Sequence, residues 1–496
     1  MRTNATLVFL AAALATTALS AQTGTLDPTF GGTGYVIETE LFEARSVATY
    51  PDGRIVICAG NRLYRFLPNG TRDAAFGTAG EVGPIGFNGA TVLIQPDGKI
   101  LVGGELNAVG VGQDIAAGRF EADGTPDASF GNNGFVQVVM PNYDYCNSTT
   151  LLDDGRVLLT GSSNIDFAAH LIMLNADGSM DASFGDNGHV VWMPVSGDIF
   201  DVLDAAVQAD GRIIFTGEHA PEANDDVVGR YMPDGTLDET FNGTGTTYWD
   251  FGPNQDELEQ VELDAQGRII VLATASSAGS FHSGTLARMN TDGTLDLTFG
   301  TNGFAALNTP TTGRVPRSFC IQSDGELVVT GSSGAPGRNL YLARFDADGQ
   351  LDNDFGDAGY AFLDLPNNEG GIGIATTADD KLVVAGGSQI TGSGADLLVA
   401  RFGLSSGLLV EDGPEQRDAL RVVPCPAGET FTILGMEADA TNGVLEVFDP
   451  SGRQVHVGYH FTSLGIQVQA ASLPPGLYVA YLRTKDTTQV ARFEKL

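Results

Sequence analysis

The chain has 496 residues, 42% of them hydrophobic, and its 62 acidic side chains against 26 basic ones give a formal net charge of −36. So acidic a surface repels phosphate backbones and anionic lipid headgroups, which argues against nucleic acid and membrane surfaces as partners. The 65 glycines favour an all-β protein with many tight turns over a helical one.

Residues 1–21 are predicted to be a signal peptide. Arg2 supplies a positive start, the apolar run of residues 7–19 is too short to span a bilayer, and small residues at 18–21 suit cleavage. No later stretch approaches the length of about 18 uninterrupted apolar residues that a span requires, so we expect no integral membrane segment.

One motif recurs seven times in the rest of the chain. It reads Gly-Thr-Leu-Asp-Leu-Thr-Phe-Gly-Thr-Asn-Gly at residues 293–303, and the other copies begin at Gly24, Gly70, Gly124, Gly178, Gly235 and Gly349. Each copy has an Asp and a Phe at fixed offsets, and the phenylalanines are Phe30, Phe76, Phe130, Phe184, Phe241, Phe299 and Phe355. A regular period of about 55 residues is typical of a repeat architecture.

Short β-branched runs and Asp-Gly turns fill the space between motifs. In residues 131–185, strands are predicted at 135–140, 149–152, 157–161 and 169–174, with a hairpin turn at Asp154-Gly155. Four antiparallel strands in each of seven units predict a seven-bladed β-propeller over residues 22–407. A parallel β-helix is the alternative, but its rungs are usually shorter and rarely carry hairpins.

The motif is expected to connect the outer strand of one blade to the inner strand of the next. Its glycines permit the reversal, its Asp accepts backbone hydrogen bonds as in an Asx-turn, and its Phe fills the wedge between blades. The fourth strand also has a recurrent basic residue, which predicts inter-blade ion pairs or bonds to carbonyls, with a binding ring as the alternative. These residues are Arg65, Arg119, Arg230, Arg288, Arg344 and Arg401, with Met173 in the remaining repeat.

Five repeats have a second Asp four residues before the motif Asp. The pairs are Asp123/Asp127, Asp177/Asp181, Asp234/Asp238, Asp292/Asp296 and Asp348/Asp352. Clustered carboxylates and turn carbonyls are ligands that Ca²⁺ selects, although the spacing is not that of an EF-hand loop. Turn chemistry accounts for the same residues, so calcium is a possible ligand and no other cofactor is predicted.

No catalytic constellation breaks the repeats, and the sequence identifies no catalytic or binding residues. The six histidines are dispersed without zinc spacing, and no nucleophile elbow, phosphate loop or dinucleotide motif is present. The cysteines Cys58, Cys146, Cys320 and Cys425 occupy non-equivalent places, and Cys58 is expected to be a buried free thiol, although export permits disulfides. Several aromatic residues could stack on sugars or simply pack, namely Tyr143, Tyr145, Trp192, Tyr248, Trp249 and Phe251.

The repeat resembles the delta-60 repeat family. The resemblance covers residues 24–407 and rests on Gly-x-Leu-Asp-x-x-Phe-Gly-x-x-Gly followed by Asp-Gly-Lys/Arg and an apolar strand. Arg72 replaces the Leu in the second copy, and Asn242 replaces the Gly after Phe in the fifth. The family implies exported, propeller-like bacterial proteins, and it implies no reaction.

The repeats cease near Leu408, where a linker at 408–418 leads to a short all-β module at 419–496. This module resembles the type A C-terminal sorting domain of type IX secretion, an Ig-like sandwich. The resemblance rests on Pro424-Cys425-Pro426, with Cys where Asn is usual, on a strand that leads into residues 449–453, and on Gly476-Leu477-Tyr478. It implies passage through the outer membrane of a Gram-negative bacterium by the type IX machinery, to the medium or the cell surface. The candidate sorting residues, which are otherwise simple sandwich edges, are Asp449, Gly452, Arg453, Gly476, Tyr478 and Lys495.

These observations favour an exported propeller that binds a glycan or a protein at one face without catalysing a reaction. A hydrolase or lyase acting on extracellular polysaccharide at the central mouth is the alternative from another class. A structural component of the cell surface is the third.

Overall fold

The computed structural model divides the chain into two compact units, residues 1–408 and 409–496. In the first unit it describes residues 23–39, 42–108, 112–140, 143–163, 168–192, 200–219, 225–249, 256–277, 281–307, 314–333, 338–366, 368–389 and 395–404. In the second it describes residues 421–423, 430–434, 444–448, 454–462, 465–469, 473–474, 476–483 and 488–495.

The first unit is an all-β, seven-bladed propeller, and each blade has four antiparallel strands that we give from the innermost outward. Blade 1 consists of β3 (Ser46–Thr49), β4 (Ile55–Ala59), β5 (Arg62–Phe66) and β6 (Glu81–Val82). Blade 2 consists of β7 (Asn88–Ile94), β8 (Ile100–Ala108), β9 (Gly112–Phe120) and β10 (Phe135–Val138). Blade 3 consists of β11 (Asp144–Leu151), β12 (Val157–Ser163), β13 (Ala169–Leu174) and β14 (His189–Trp192). Blades 4 and 5 consist of β15 (Phe200–Val207), β16 (Ile213–His219), β17 (Asp225–Tyr231) and β18 (Thr246–Trp249); and β19 (Asp256–Leu263), β20 (Ile269–Ser277), β21 (Phe281–Met289) and β22 (Phe304–Ala306).

Blade 6 consists of β23 (Arg314–Ile321), β24 (Leu327–Ser333), β25 (Leu340–Phe345) and β26 (Tyr360–Leu363). Blade 7 combines β27 (Asn368–Thr376), β28 (Leu382–Gln389) and β29 (Asp396–Leu404) with the N-terminal β2 (Tyr35–Glu38) as its outer strand. The short β1 (Thr23–Leu26) also pairs with β29, and a 3₁₀ turn covers Phe241–Gly243. Each innermost strand contacts the next one around the ring, and β27 contacts β3, so the seven blades close.

Strands from both ends of the propeller sequence make this closure. Residues of β2 pair with β29 from Tyr35 opposite Ala400 to Glu38 opposite Leu397. Arg401 Nε donates to Asp27 Oδ2 at 2.9 Å, across 374 residues of sequence. The last blade is therefore incomplete until the first residues of the propeller join it.

The position of the motif differs from the prediction. The copy at 124–134 follows β9 and precedes β10, and these two strands pair with each other, with Phe135 opposite Gly118. The motif thus connects the third and fourth strands of one blade, and the predicted first strand at 135–140 is the outer strand of the preceding blade. A series of four-strand repeats is compatible with any of the four strands as the first of a blade. Only the pairing between strands therefore shows where a blade begins. The motif nevertheless joins blades by hydrogen bonds, since Gly131 N donates to Asp177 O of the next copy at 2.7 Å.

Large buried side chains fill the spaces between blades. All seven motif phenylalanines have no exposed surface. Phe184, for example, belongs to one buried cluster with Leu171 of its own blade and with Val202 and Phe215 of the next. Burying a side chain of this size contributes about 2–3 kcal/mol, so these rings hold adjacent blades together.

The second unit consists of two four-stranded antiparallel sheets. One contains β30 (Arg421–Val423), β31 (Thr430–Leu434), β35 (Gly465–Gln469) and β34 (Gly458–Thr462), and the other contains β33 (Gln454–Val455), β32 (Val444–Phe448), β36 (Gly476–Arg483) and β37 (Thr488–Lys495). Ile433 and Ile466 of the first sheet share a buried cluster with Val447 and Ala480 of the second, so the sheets pack face to face.

Three of the six candidate sorting residues lie in these strands. Gly476 pairs with Lys495 at the edge of the second sheet, and the Tyr478 hydroxyl donates to Pro474 O at 2.8 Å. The other three candidates are Asp449, Gly452 and Arg453, and they lie outside the described residues. Cys425 also lies outside them. Within the described part of the chain, no helix has the length and apolar character needed to cross a membrane.

Candidate functional site

The repeated charged residues form one local network in each blade. In blade 2, Asp127 Oδ1 accepts hydrogen bonds from Ser129 N and Oγ at 3.0 and 2.7 Å. Asp127 Oδ2 accepts from Arg119 Nε at 2.6 Å and from Lys99 Nζ at 2.8 Å. Although burial opposes ionisation, the bonds from Lys99 and Ser129 lower the pKa of Asp127. One carboxylate therefore organises the turn and holds two cations.

The same guanidinium also reaches its neighbours. Arg119 lies over the Phe130 ring, 4.6 Å from its centroid, and donates to Ala176 O in the next blade. Equivalent pairs are Arg65–Asp73, Arg230–Asp238, Arg288–Asp296, Arg344–Asp352 and Arg401–Asp27. The ion pair thus lies within one blade and not between blades as predicted, whereas the predicted bond to a carbonyl does reach the next blade.

Two blades depart from this arrangement and compensate locally. In blade 3 the Arg is replaced by buried Met173, and Arg156 from the hairpin turn instead reaches Asp181 at 3.0 Å. In blade 6 the turn has Glu326 where the other blades have a base, and Arg344 pairs with it at 2.7 Å. Each motif Asp therefore has at least one cationic partner, while the number and source of the cations differ between blades.

The predicted calcium carboxylates are engaged in their own turns. Asp123 Oδ1 accepts from Thr125 N and Oγ1 at 2.9 and 2.7 Å, and these bonds lower the pKa of Asp123. Asp177, Asp234 and Asp292 make the same turn, whereas Asp348 donates its N–H to Asp346. In the described ranges, no three His, Cys, Asp or Glu side chains converge as metal ligands. Calcium binding stays a prediction.

The innermost strands are where the blades differ. Six of them have a one-residue shift of register at the same place. The residues at the shift are Ala90, Asn147, Leu203, Glu259, Arg317 and Ile372. Arg317 reaches Glu259 of the preceding blade at 3.3 Å, and Asn147 Nδ2 donates to Val202 O of the following one at 2.9 Å. Equivalent places on the innermost strands therefore have polar side chains in three blades and apolar side chains in the other three.

Two exposed tyrosines stand at the start of the innermost strand of blade 3. Tyr143 is 47% exposed and Tyr145 is 36% exposed, while Asp144 between them is 1% exposed. Side chains two residues apart on a strand point to the same side. Tyr143 and Tyr145 therefore present two rings on one side of the ring mouth, and we call them the tyrosine pair.

A buried hydrogen-bond chain lies beneath the tyrosine pair. His170 Nε2 lies 3.1 Å from Asp144 Oδ1, and His170 Nδ1 lies 3.0 Å from His189 Nε2. Burial and the neighbouring His170 lower the pKa of His189 to about 4, so we assign its Nε2 as a neutral acceptor. Residue spacing gave no sign of this chain. Alignment of the repeats on their Arg column does not single out His170 either. The equivalent residues are Ala116, Val227 and Leu398 in three blades and Arg62, Thr285 and Tyr341 in the other three.

An acidic pair lies further along the ring and consists of Asp204 in blade 4 and Glu262 in blade 5. Desolvation raises the pKa of Asp204 to about 6, and desolvation together with the Asp204 charge raises that of Glu262 to about 8. Asp204 Oδ2 accepts from Val261 N at 2.9 Å, and Glu262 Oε1 accepts from Gln260 Nε2 at 2.8 Å. These carboxyl groups tie neighbouring innermost strands together, and the sequence did not single them out.

The remaining aromatic and cysteine residues separate into packed and exposed sets. Trp192 packs on Phe215 with ring centroids 5.4 Å apart, and Trp249 packs on Phe304 at 6.1 Å. Tyr248 is 46% exposed on the outer strand of blade 4, and Phe251 lies outside the described residues. Three cysteines are buried free thiols, namely Cys58, Cys146 and Cys320.

Five of the seven repeats match the model of a β-propeller domain of unknown function, DUF5122, at residues 95–130, 152–184, 208–241, 266–299 and 322–355. Each match runs from a hairpin turn to a motif Phe. Together with the seven-bladed fold, they show that the chain is a β-propeller repeat protein. A comparison with curated proteins found no match.

Several solved structures are similar to this chain. A protein of unknown function from Dyadobacter fermentans is 13% identical, with a TM-score of 0.41 over 74% of this chain and 97% of its own. Drosophila Semaphorin 2a is 9% identical, with a TM-score of 0.45 over 93% and 97%. A glucose dehydrogenase is 12% identical, with a TM-score of 0.35 over 74% and 98%. Likenesses this distant say nothing about what this chain binds or converts.

Proposed function

We propose that this β-propeller repeat protein is a non-catalytic binding protein whose ligand, a glycan or a glycosylated protein, contacts the mouth of the ring. The observation that carries the proposal is a difference between the recurrent residues of the repeats and the residues of the innermost strands. The recurrent Arg, Asp and Phe residues are engaged in contacts within and between blades, whereas the innermost strands differ and leave the tyrosine pair exposed.

The tyrosine pair suits a sugar because a phenol ring offers an apolar face and a polar edge. Tyr143 and Tyr145 are two residues apart, so their Cα atoms lie about 7 Å apart along an extended chain. The buried Asp144 between them is bonded to His170, which holds this part of the backbone in place. A backbone held in this way loses little conformational freedom when a ligand binds.

We further propose that the chain is an exported delta-60 repeat protein sorted by a type IX C-terminal domain with an Ig-like fold. The support is the signal-like N-terminus, the tail motifs and the two packed sheets of the second unit. Removing residues 419–496 should leave the protein inside the outer membrane of a type IX-competent host, whereas the full chain should reach the surface or the medium. Equal release of both forms would contradict this sorting role.

The binding proposal is tested with the full chain on a panel of extracellular polysaccharides. Bound protein and newly formed sugar ends are recorded together, with calcium and with chelator. We expect retention without release, and loss of retention in a Tyr143→Ala/Tyr145→Ala variant. Tyr248→Ala is the matched control because this tyrosine is equally exposed on an outer strand. Retention that survives loss of the tyrosine pair would place the ligand elsewhere. If neither bound protein nor newly formed sugar ends are detected, the result would favour a structural role.

The acidic pair is the one observation that favours the alternative, a polysaccharide hydrolase or lyase. A carboxylic acid that keeps its proton near pH 7 beside a more acidic partner is the pairing that glycosidases use. In this chain both groups are bonded within the ring of innermost strands, which favours a structural role. Release of sugar ends that disappears in Glu262→Gln and Asp204→Asn would establish the enzyme and contradict our proposal.

A further inference from the structure

A groove of about 550 Å³ opens at the seam where blade 7 meets blade 1. It lies at the ends of the innermost strands opposite the tyrosine pair, between the hairpin turns of the two blades. Its walls include Pro51 and Pro68, and Lys381 and Arg401 also line it. The volume falls within the range of about 300–1,000 Å³ that is usual for small-molecule sites.

The short side chain of Thr377 contributes to the opening of this groove. At three other seams the residue that begins the hairpin turn crosses to the next blade: Tyr50 Oη donates to Gly98 O at 3.1 Å, Gln208 Nε2 to Thr291 O at 3.3 Å, and Gln322 Nε2 to Asp380 O at 3.0 Å. Thr377 is their equivalent, since its N–H makes the same backbone bond to Lys381 O that Tyr50 makes to Arg54 O. Its hydroxyl instead donates to Asp379 within its own turn at 2.6 Å. The space that a crossing side chain fills elsewhere is thus left free.

The charges lining the groove are paired. Arg401 donates to Asp27 and Thr29 from the floor, and Lys381 Nζ lies 3.0 Å from Asp379 and 3.4 Å from Asp27. Asp52 stands at the rim and is paired with Arg54 at 2.8 Å, so the three carboxylates are balanced by three cations. A charged ligand of either sign would have to compete with one of these ion pairs, whereas a neutral ligand would not.

We propose that this groove binds a neutral saccharide. Hydroxyl groups can donate to the carboxylates and accept from the ammonium without disturbing the charge balance, and Asn69 adds an amide that offers both. The ring faces of Pro51 and Pro68 supply apolar surface for the C–H side of a sugar. This site is separate from the tyrosine pair, so it stands or falls independently of the proposed function.

The test uses the full chain and saturation-transfer NMR with glucose, galactose, mannose, xylose and N-acetylglucosamine at millimolar concentration. Galacturonate and glucosamine are the charged comparisons. Thr377→Tyr should fill the groove, because a hydroxyl there can reach Gly53 as Tyr50 reaches Gly98. Thr377→Gln is the second variant, with the side chain that crosses in blades 4 and 6. Gln322→Tyr is the matched control, since it adds the same ring at another seam.

We expect saturation transfer to at least one neutral sugar and to neither charged one. The signal should persist in the Gln322→Tyr control and in Tyr143→Ala/Tyr145→Ala. When a Thr377 substitution that keeps the melting temperature within a few degrees of the parent is added to Tyr143→Ala/Tyr145→Ala, the signal should fall at least tenfold. No signal from any neutral sugar would overturn the proposal, as would a signal that survives the Thr377 substitutions in that background. A stronger signal from either charged sugar would do the same.

Discussion

Among the individual residues, the motif Asp of blade 2, Asp127, has four hydrogen-bond or ion-pair contacts on one short side chain. Its two oxygens are divided, since one caps the turn and the other pairs with the cations. The repeat pattern revealed which Asp and which Arg belong together. It did not reveal Lys99 as a second cation or Arg156 as the replacement for a missing Arg, because those residues come from a different turn.

Phe184→Ala tests how much one motif ring contributes. The ring has no exposed surface, and removing a buried phenylalanine side chain usually lowers the free energy of unfolding by about 3–5 kcal/mol. We expect a loss in this range by chemical denaturation. Leu297→Ala is the control, because that side chain is 67% exposed. A loss below about 1 kcal/mol for Phe184→Ala would show that the ring is not part of the core.

Glu262→Gln tests the acidic pair through pH. The folded chain holds the Glu262 proton up to about pH 8, whereas an unfolded glutamic acid releases it near pH 4.5. Between these values the folded state binds more protons, so stability falls as pH rises, by up to about 1.4 kcal/mol per pH unit for one group. The variant should lose most of this slope in urea unfolding measured between the two pKa values. An unchanged slope, matching that of the exposed control Glu239→Gln, would contradict the assignment.

At the scale of elements, the innermost strands show why a correct strand count gave the wrong blade boundary. Strand positions follow from β-branched runs and Asp-Gly turns, which are local. Pairing partners and the register shift in six innermost strands depend on contacts between distant segments. One local sign of the shift existed, since three second strands contain Thr-Gly, at Gly161, Gly217 and Gly331, where the partner strand comes close.

Gly161→Ala tests this close approach. A Cβ atom there would lie 2.1 Å from Tyr145 O, so the backbone of the innermost strand would have to move. Forcing extra atoms into packed structure usually costs about 1–3 kcal/mol, and we expect a loss of that size in unfolding free energy. In the control Gly370→Ala the nearest atom to a new Cβ is 3.7 Å away, and the change should be near zero. Equal effects in both would remove the steric argument.

At the scale of the whole molecule, the sequence was sufficient for the all-β class, the number of blades and the ring. It was sufficient because each repeat is one four-stranded unit and seven such units can close. The sequence named Tyr143 and Tyr145 among several aromatic residues that could stack on sugars, but it did not show that they form an exposed pair. It did not reveal the His170 chain, the acidic pair or the seam groove. Each of these depends on residues that differ from their equivalents in the other repeats and on neighbours that are distant in sequence.

Arg401→Ala tests the closure of the ring. It would leave Asp27 with Lys381 at 3.4 Å and with the two bonds from Thr29. A buried charge left without a partner costs about 3–5 kcal/mol. Because Asp27 keeps these partners, we expect a loss at or below the lower end of that range by chemical denaturation, with partial recovery in the Asp27→Asn/Arg401→Ala double variant. Arg54→Ala removes an exposed pair with Asp52 and should cost less than about 1 kcal/mol. A loss for Arg401→Ala no larger than that would show that closure does not need the pair.

The shared last blade also sets the order in which the protein can mature. A ribosome makes residues 35–38 first, and their partners at 397–400 come more than 350 residues later. At about 5–20 residues per second, the first strand waits tens of seconds with an unsatisfied edge. During that interval six blades can form, but the ring stays open. The first strand still has no strand to pair with, and blade 7 still lacks its outer strand. Completion is therefore a single late event, and until then each nascent chain is a candidate for exchanging strands with its neighbours.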